Sequence, residues 1–134
     1  MTSQRVLPVP DEMSAPYWDA ASRHVLTAAR CGQCGVFAMP PDVVCPSCGS
    51  TDPSYEFTPV SGEGLVRSWA VVRQSFLPGF EVPFVLVDVE LAEQPDLRLI
   101  GRLLDGEPSL GAAVRVAFED LADGIALPAW ELVL

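Results

Sequence analysis

Two short cysteine-containing stretches decide how this chain folds: CGQCG at residues 31–35 and CPSCG at residues 45–49. Two residues separate the cysteines of each pair, and this gap lets one tight turn aim both sulfur atoms at a single ion. The glycine that follows each pair can adopt a positive φ without penalty, so each turn can close. The duplicated pattern therefore predicts a zinc ribbon. Its four expected zinc ligands are Cys31, Cys34, Cys45 and Cys48.

The metal in this site is expected to be structural, because the protein fills all four positions and leaves none open for water. Residues 31–50 contain too few apolar side chains to fold by burial, so metal binding must supply the energy. Iron in the same tetrahedron is the alternative. Residues 1–10 lack a secretion signal, and no apolar run reaches the roughly 18 residues of a membrane span. Both observations predict a reducing compartment, where disulfides are disfavoured. We expect a cytoplasmic protein with reduced thiols.

The composition excludes several classes of protein. The 134 residues suffice for one domain, and 49% of them are apolar, which predicts a real hydrophobic core. Eight arginines oppose 18 acidic residues, and the net charge of −10 would repel a phosphate backbone. The chain has no lysine, which excludes Schiff-base chemistry. Its single histidine, His24, is expected to pack or cap, and zinc occupies every thiol, so no convincing nucleophile and base remain.

A short amphipathic helix is predicted ahead of the first cysteine pair. Ser14 offers an N-cap and Pro16 suits the first turn, so we expect the helix over residues 15–23. Trp18 falls on its apolar face and Tyr17 on the shoulder of that face.

The chain divides into three predicted parts. Residues 1–30 comprise an extended arm and the helix, residues 31–50 the zinc ribbon, and residues 51–134 an OB-fold. Residues 25–30 either prolong the helix or form a strand, and the alternation of side chains favours the strand.

The last of these parts alternates β-branched runs with turn residues. The five predicted strands cover residues 65–73, 84–91, 97–104, 114–119 and 127–133. Five short antiparallel strands suit a small OB-fold barrel, whereas a sandwich needs about seven. We therefore predict a mainly β protein, with an N-terminal helix and a zinc ribbon followed by a five-stranded OB-fold barrel.

The loop between the first two predicted strands carries two phenylalanines on either side of a Pro-Gly turn. In an OB-fold such a loop borders the ligand face, so its rings could contact a partner or an acyl chain. Alternatively, both rings fold back and cap the barrel mouth. The arginine before the loop could meet a phosphate or a carboxylate of the partner. The candidate interface residues here are Arg73, Phe76, Pro78, Gly79 and Phe80.

Taken together, the motifs resemble those of a known family. The resemblance is carried by YWD at residues 17–19, MPP at 39–41 between the cysteine pairs, SGEGLV at 61–66 and the run PGFEVPF at 78–84. That family joins an N-terminal helix and a rubredoxin-like zinc ribbon to an OB-fold, and it was long catalogued only as a domain of unknown function. The likeness extends from about Tyr17 to Phe118.

The resemblance implies an acyl-CoA-associated accessory protein that partners thiolase-like enzymes or enoyl-CoA hydratases of lipid, steroid or polyketide metabolism. In such complexes the partner holds the catalytic residues. We therefore expect a non-catalytic subunit that docks on a thiolase, acyltransferase, retro-aldolase or hydratase, stabilises it and helps to form its acyl-CoA site. Tyr17 and Trp18 are expected at the interface. A free-standing acyl-CoA binding module is the alternative, and a nucleic-acid-binding OB-fold is a third, disfavoured by the absence of lysine.

Overall fold

The computed structural model describes residues 5–75 and 79–133, so Phe76 and Pro78 of the candidate interface lie outside the described residues. One helix, α1 (Ala15–Ser22), precedes eight strands. In chain order the strands are β1 (Thr27–Arg30), β2 (Phe37–Ala38), β3 (Glu56–Pro59), β4 (Glu63–Val72), β5 (Phe84–Leu91), β6 (Arg98–Arg102), β7 (Ala113–Ala122) and β8 (Ile125–Leu132). No helix in the described ranges has the length and apolar character needed to cross a membrane.

The start of α1 differs from the expected one. Ser14 was expected to cap the helix, but its side chain makes no capping hydrogen bond to the helix. Instead, Asp11 and Ser14 bond reciprocally: the Ser14 N–H donates to Asp11 Oδ1 at 2.7 Å, and the Asp11 N–H donates to Ser14 Oγ at 3.0 Å. The Ala15 N–H also donates to the Asp11 carbonyl. The chain therefore begins to wind at Asp11, inside the segment expected to be extended, because the Asp11 carboxylate accepts the Ser14 N–H and the Asp11 carbonyl accepts the Ala15 N–H.

The strands form two antiparallel sheets. The three-stranded sheet has the order β2-β1-β3 and carries the cysteine-rich segment, while the five-stranded sheet has the order β6-β5-β4-β7-β8. The five-stranded sheet corresponds to the five predicted strands. Its ends approach each other where Leu103 and Trp130 form a parallel bridge and the Leu104 N–H donates to the Trp130 carbonyl. The predicted mainly β class, with an N-terminal helix, a zinc ribbon and an OB-fold, is confirmed.

Both sheets contribute to one hydrophobic core. Val66, Val87 and Val89 of the five-stranded sheet are fully buried, as is Trp130. Ala28 of β1 belongs to the same cluster, so the three-stranded sheet, called the ribbon sheet below, packs on the barrel through β1. This shared packing fixes the position of the cysteine-rich segment against the barrel.

Candidate metal centre and interface residues

The four cysteines of the ribbon meet at one point. Their sulfur atoms all lie within 4.8 Å of one another. The Cys31 and Cys48 sulfurs are 3.9 Å apart, and the Cys34 and Cys45 sulfurs are 3.8 Å apart. A tetrahedron with metal–sulfur bonds of about 2.3 Å places its ligands about 3.8 Å from each other. The spacing of the sulfurs therefore fits one tetrahedral zinc ion, whose chemistry here is structural cross-linking of the two turns.

The two turns repeat one local geometry. Gly35 has φ 76° and Gly49 has φ 75°. The Gly35 N–H donates to the Cys31 carbonyl and the Gly49 N–H to the Cys45 carbonyl, both at 2.9 Å. Only a residue that tolerates positive φ closes the turn in this way, which explains the glycine after each cysteine pair.

Backbone N–H groups also point at the sulfurs. The Gln33 N–H lies 3.4 Å from Cys31 Sγ. Hydrogen bonding from the Cys48 backbone lowers the pKa of Cys45 to about 6. Donors of this kind stabilise the thiolate, which is the form that binds metal. The predicted cofactor, a structural zinc in a rubredoxin-like ribbon, is confirmed.

Tyr17 and Trp18 border a cavity of about 500 Å³ between α1, the ribbon sheet and β6. Their rings meet edge to face with centroids 5.1 Å apart. Met39 and Leu99 are among the other apolar residues that line the cavity, and Ile100 at its rim is 63% exposed. Burial raises the pKa of Tyr17 to about 12, so its hydroxyl stays neutral. We refer to this cavity as the helix–ribbon groove.

Gly79 and Phe80 lie elsewhere, beside a pocket of about 210 Å³ that Arg5 and Arg102 also line. The Phe80 ring stacks on Phe84 with centroids 5.7 Å apart, and the Arg5 guanidinium lies 5.6 Å from the Phe80 ring centre. Phe80 is half-buried by these contacts. Arg73 is exposed and lines neither this pocket nor the groove. The candidate interface residues that the structure describes are therefore separated into three places.

An ion cluster anchors the N-terminal arm beside this pocket. Glu119 accepts hydrogen bonds from Arg102 and from Arg5, and its side chain is only 14% exposed. Burial by itself would raise the pKa of Glu119, but the hydrogen bonds and positive charges of Arg102 and Arg5 outweigh it and hold the pKa below its usual range. No local sequence pattern indicates this cluster, because Arg5 lies 114 residues and Arg102 lies 17 residues from Glu119.

Replacing Glu119 with glutamine is expected to lower the free energy of unfolding by about 1–3 kcal/mol at pH 7, since two charged donors lose a charged acceptor and one of the two carboxylate oxygens becomes a donor NH2 group. Because folding depresses the pKa of Glu119, its contribution is complete above the unfolded value near 4.5 and disappears as the pH falls below it. Urea unfolding between pH 7 and pH 3 should show a weaker loss of stability in acid for Glu119→Gln than for the unmodified chain. Glu107, an exposed carboxylate, supplies the control as Glu107→Gln. Equal acid dependence in all three proteins would contradict this account.

His24 packs against the barrel. Its Nε2 lies 2.9 Å from Asp120 Oδ1, and its ring stacks on Phe118 with centroids 5.1 Å apart. The residue adopts φ 61° directly after the helix, where its N–H donates to the Ala21 carbonyl. This single imidazole therefore fixes the end of α1 against β7 and faces none of the cavities described above.

The sequence and the structure match known proteins. Residues 18–54 match the family model described as "ChsH2, rubredoxin-like zinc ribbon domain", and residues 57–119 match "ChsH2, C-terminal OB-fold domain". A chain of the solved structure "Ltp2-ChsH2(DUF35) aldolase" is 30% identical and superposes with a TM-score of 0.81, covering 93% of this chain and 98% of that one.

Two curated proteins are similar in sequence to this chain. The probable enoyl-CoA hydratase alpha subunit of Thermomonospora curvata is 34% identical over 104 residues, which are 78% of this chain and 31% of the relative. The DUF35 domain-containing scaffold protein of Methanothermobacter thermautotrophicus is 29% identical over 111 residues, 77% of this chain and 81% of the relative. The chain thus spans about a third of the first relative and most of the second. With both domain models and a whole-chain structural match, this chain belongs to the DUF35 family, in its ChsH2-type form of a zinc ribbon joined to an OB-fold.

Proposed function

We propose that this chain is a non-catalytic subunit of a hetero-oligomer, in which a thiolase-like or hydratase-like acyl-CoA enzyme carries out the chemistry. The observation that carries the proposal is the match over 98% of the chain in the Ltp2-ChsH2(DUF35) aldolase, whose name joins this type of chain to a second protein. The names of the curated relatives, a hydratase subunit and a scaffold protein, point in the same direction.

The side chains of this protein support a role without catalysis. The four cysteines gather at the metal centre, and we assign the zinc to all four of them. His24 is engaged with Asp120 and Phe118. The sequence offers no lysine. Within the described residues we therefore find no nucleophile beside a free base, which is the minimum arrangement for acyl transfer or hydration.

The arrangement of the arginines favours a protein partner over free-standing binding of acyl-CoA. Six arginines form ion pairs with carboxylates within the chain: Arg5, Arg23, Arg67, Arg98, Arg102 and Arg115. Arg30 donates to the Gly35 carbonyl. In the described part of the chain, Arg73 is thus the arginine without a hydrogen bond or ion pair. A protein of net charge −10 with so few available cations is a poor receptor for the phosphates of CoA.

We place the enzyme partner at the helix–ribbon groove. The groove is largely apolar, and aromatic side chains from the helix stand at its edge. Tyr17 and Trp18 are of the types that most often anchor protein interfaces. On the ribbon side, the groove is lined by Met39 and Pro40, which lie between the two cysteine pairs.

Co-expression with thiolase-like and hydratase-like products of neighbouring genes tests the proposal. We expect a stable complex by size-exclusion chromatography with light scattering, and acyl-CoA turnover only when the enzyme chain is present. His24→Ala should leave turnover of the complex within about twofold, because its imidazole contacts Asp120 and Phe118 and lies outside the groove. Trp18→Ala should weaken assembly, by about tenfold or more for a buried aromatic anchor.

Two results would count against this function. One is a stable monomer that forms no complex and binds CoA esters tightly by itself, which would favour the free-standing binding module. The other is complete loss of turnover in His24→Ala with the complex intact, which would place catalysis in this chain.

A further inference from the structure

Half of β4 has an unpaired edge. The strand runs over ten residues, Glu63–Val72, and it pairs with β5 from Gly64 to Val72 apart from a bulge at Arg67. On the other side it pairs with β7 only from Glu63 to Leu65, and Val66 then bonds to Gly111 and Ala112. In the described ranges, no strand pairs with residues 68–72 on this side. Such a row of free N–H and C=O groups is a template for one more strand.

The hydrogen-bond pattern shows which groups face the open edge. The Val85 carbonyl accepts a bond from the Leu103 N–H on the opposite side of β5, so Val85 and Val71, which lie directly opposite, form a non-hydrogen-bonded pair. Bonded and non-bonded pairs alternate along an antiparallel ladder. The N–H and C=O groups of Val71 and Trp69 therefore point away from β5 and into the open edge, whereas those of Ala70 point toward β5.

The same stretch exposes apolar side chains that belong to the inner face of the barrel. Trp69 lies opposite Val87, which is fully buried, so both side chains share the core-facing side of the sheet. Yet Trp69 is 44% exposed and Val71 is 42% exposed. A strand added at this edge would satisfy the free backbone groups, and its own inward side chains would cover these two residues.

We infer that residues 68–72 of β4 bind an extended segment of the partner enzyme by strand addition, an inference that rests on the proposed function. The segment fitted by this edge has apolar side chains on its barrel-facing side and an acidic residue near Arg73. An acidic residue is expected there because Arg73 is exposed just after the end of the strand and makes no ion pair or hydrogen bond within the described residues. Its positive charge is therefore available to a partner.

A second copy of this chain fits the edge less well. The antiparallel self-pairing that uses both outward residues equally has Trp69 bonded to Val71 in both directions. This one register is centred on Ala70 and places Arg67 opposite Arg73. Like charges directly opposite each other destabilise a strand pair. Each copy also carries a net charge of −10, which adds repulsion.

Residue-resolved amide hydrogen exchange tests the mode of binding. In the isolated chain, the amides of Trp69 and Val71 should exchange fast, while that of Ala70, bonded to β5, is protected. In the complex with the enzyme, strand addition should slow exchange at Trp69 and Val71 by about tenfold or more. Unchanged fast exchange at both amides in an intact complex would overturn the inference.

Three variants of the full chain test the contribution to affinity. Val71→Pro removes an outward N–H at an edge position, where proline is tolerated, and should weaken enzyme binding at least about tenfold. Arg73→Glu should weaken it about threefold to tenfold at low salt, and it cannot disturb folding through a buried contact because the side chain is exposed. Val9→Arg, at an apolar position that is 89% exposed on the N-terminal arm, is the control and should bind normally.

These measurements separate the inference from the proposed function. If the unmodified chain captures no enzyme, the proposed function fails and the inference fails with it. If it captures the enzyme and both Val71→Pro and Arg73→Glu bind as well as the unmodified chain, the strand addition is wrong and the accessory role stands. If the isolated chain is a dimer that Val71→Pro converts to a monomer, the occupant is a second copy, and the inference is also overturned.

Discussion

Replacing Cys45 with serine is expected to unfold the ribbon and to leave the barrel folded. The four sulfurs lie within 4.8 Å of one another. Within residues 31–50, only Phe37 and Met39 pack against the main hydrophobic core, so few apolar contacts stabilise this segment. Zinc binding in such sites supplies about 10–16 kcal/mol, which is more than the stability of most domains. Loss of one thiolate opens the site and weakens it. Elemental analysis should show zinc falling from one ion per chain toward zero, and proteolysis should cut within residues 31–54.

Ser47→Ala is the matched control, because Ser47 is exposed on the same turn and is not a ligand. It should keep one zinc per chain and resist protease as the unmodified protein does. Chelation of zinc from the unmodified protein should reproduce the proteolysis pattern of Cys45→Ser. A Cys45→Ser protein with full zinc content and an intact ribbon would be incompatible with this assignment.

The parts of the fold that follow from local patterns could be predicted. The strand expected over residues 84–91 is found with the same bounds, because side chains alternate along it and turn residues mark both ends. The cysteine spacing predicts the metal because two residues between ligands is a geometric requirement of one turn. Both signals are contained within a few neighbouring residues.

The parts that depend on distant contacts could not be predicted. The short strands β2 and β3 carry no alternation long enough to identify them, and they form because each pairs with β1. Asp11 begins the winding of the helix through a reciprocal bond that competes with the more obvious cap at Ser14. The candidate interface residues illustrate the same limit. No local pattern indicates that Tyr17 and Phe80 lie beside different cavities.

The open edge of β4 could not be predicted from the sequence, for a related reason. Its sequence is rich in aromatic and β-branched residues, like that of a fully paired strand, and only the pairing with β7 shows that its second half lacks a neighbour among the described strands. A pattern of side chains predicts which face of a strand is apolar, but it does not say which other strand covers that face. An unpaired strand edge can therefore be identified only once the pairing of the strands is known from the structure.

Trp130→Ala is expected to lower the free energy of unfolding by about 3–5 kcal/mol, the range for truncating a large buried aromatic side chain. The Trp130 ring is fully buried in β8 and packs so closely on Gly101 that a side-chain carbon there would come within 3.0 Å of it. No neighbour fills the space the ring leaves, so a cavity remains. Denaturant unfolding followed by circular dichroism, with zinc present throughout, measures the change. Trp69→Ala is the control, since that ring is 44% exposed and its removal should cost clearly less in the isolated chain. If both variants lose equal stability, Trp130 is not the centre of the core, and the packing of β8 against β6 does not close the barrel.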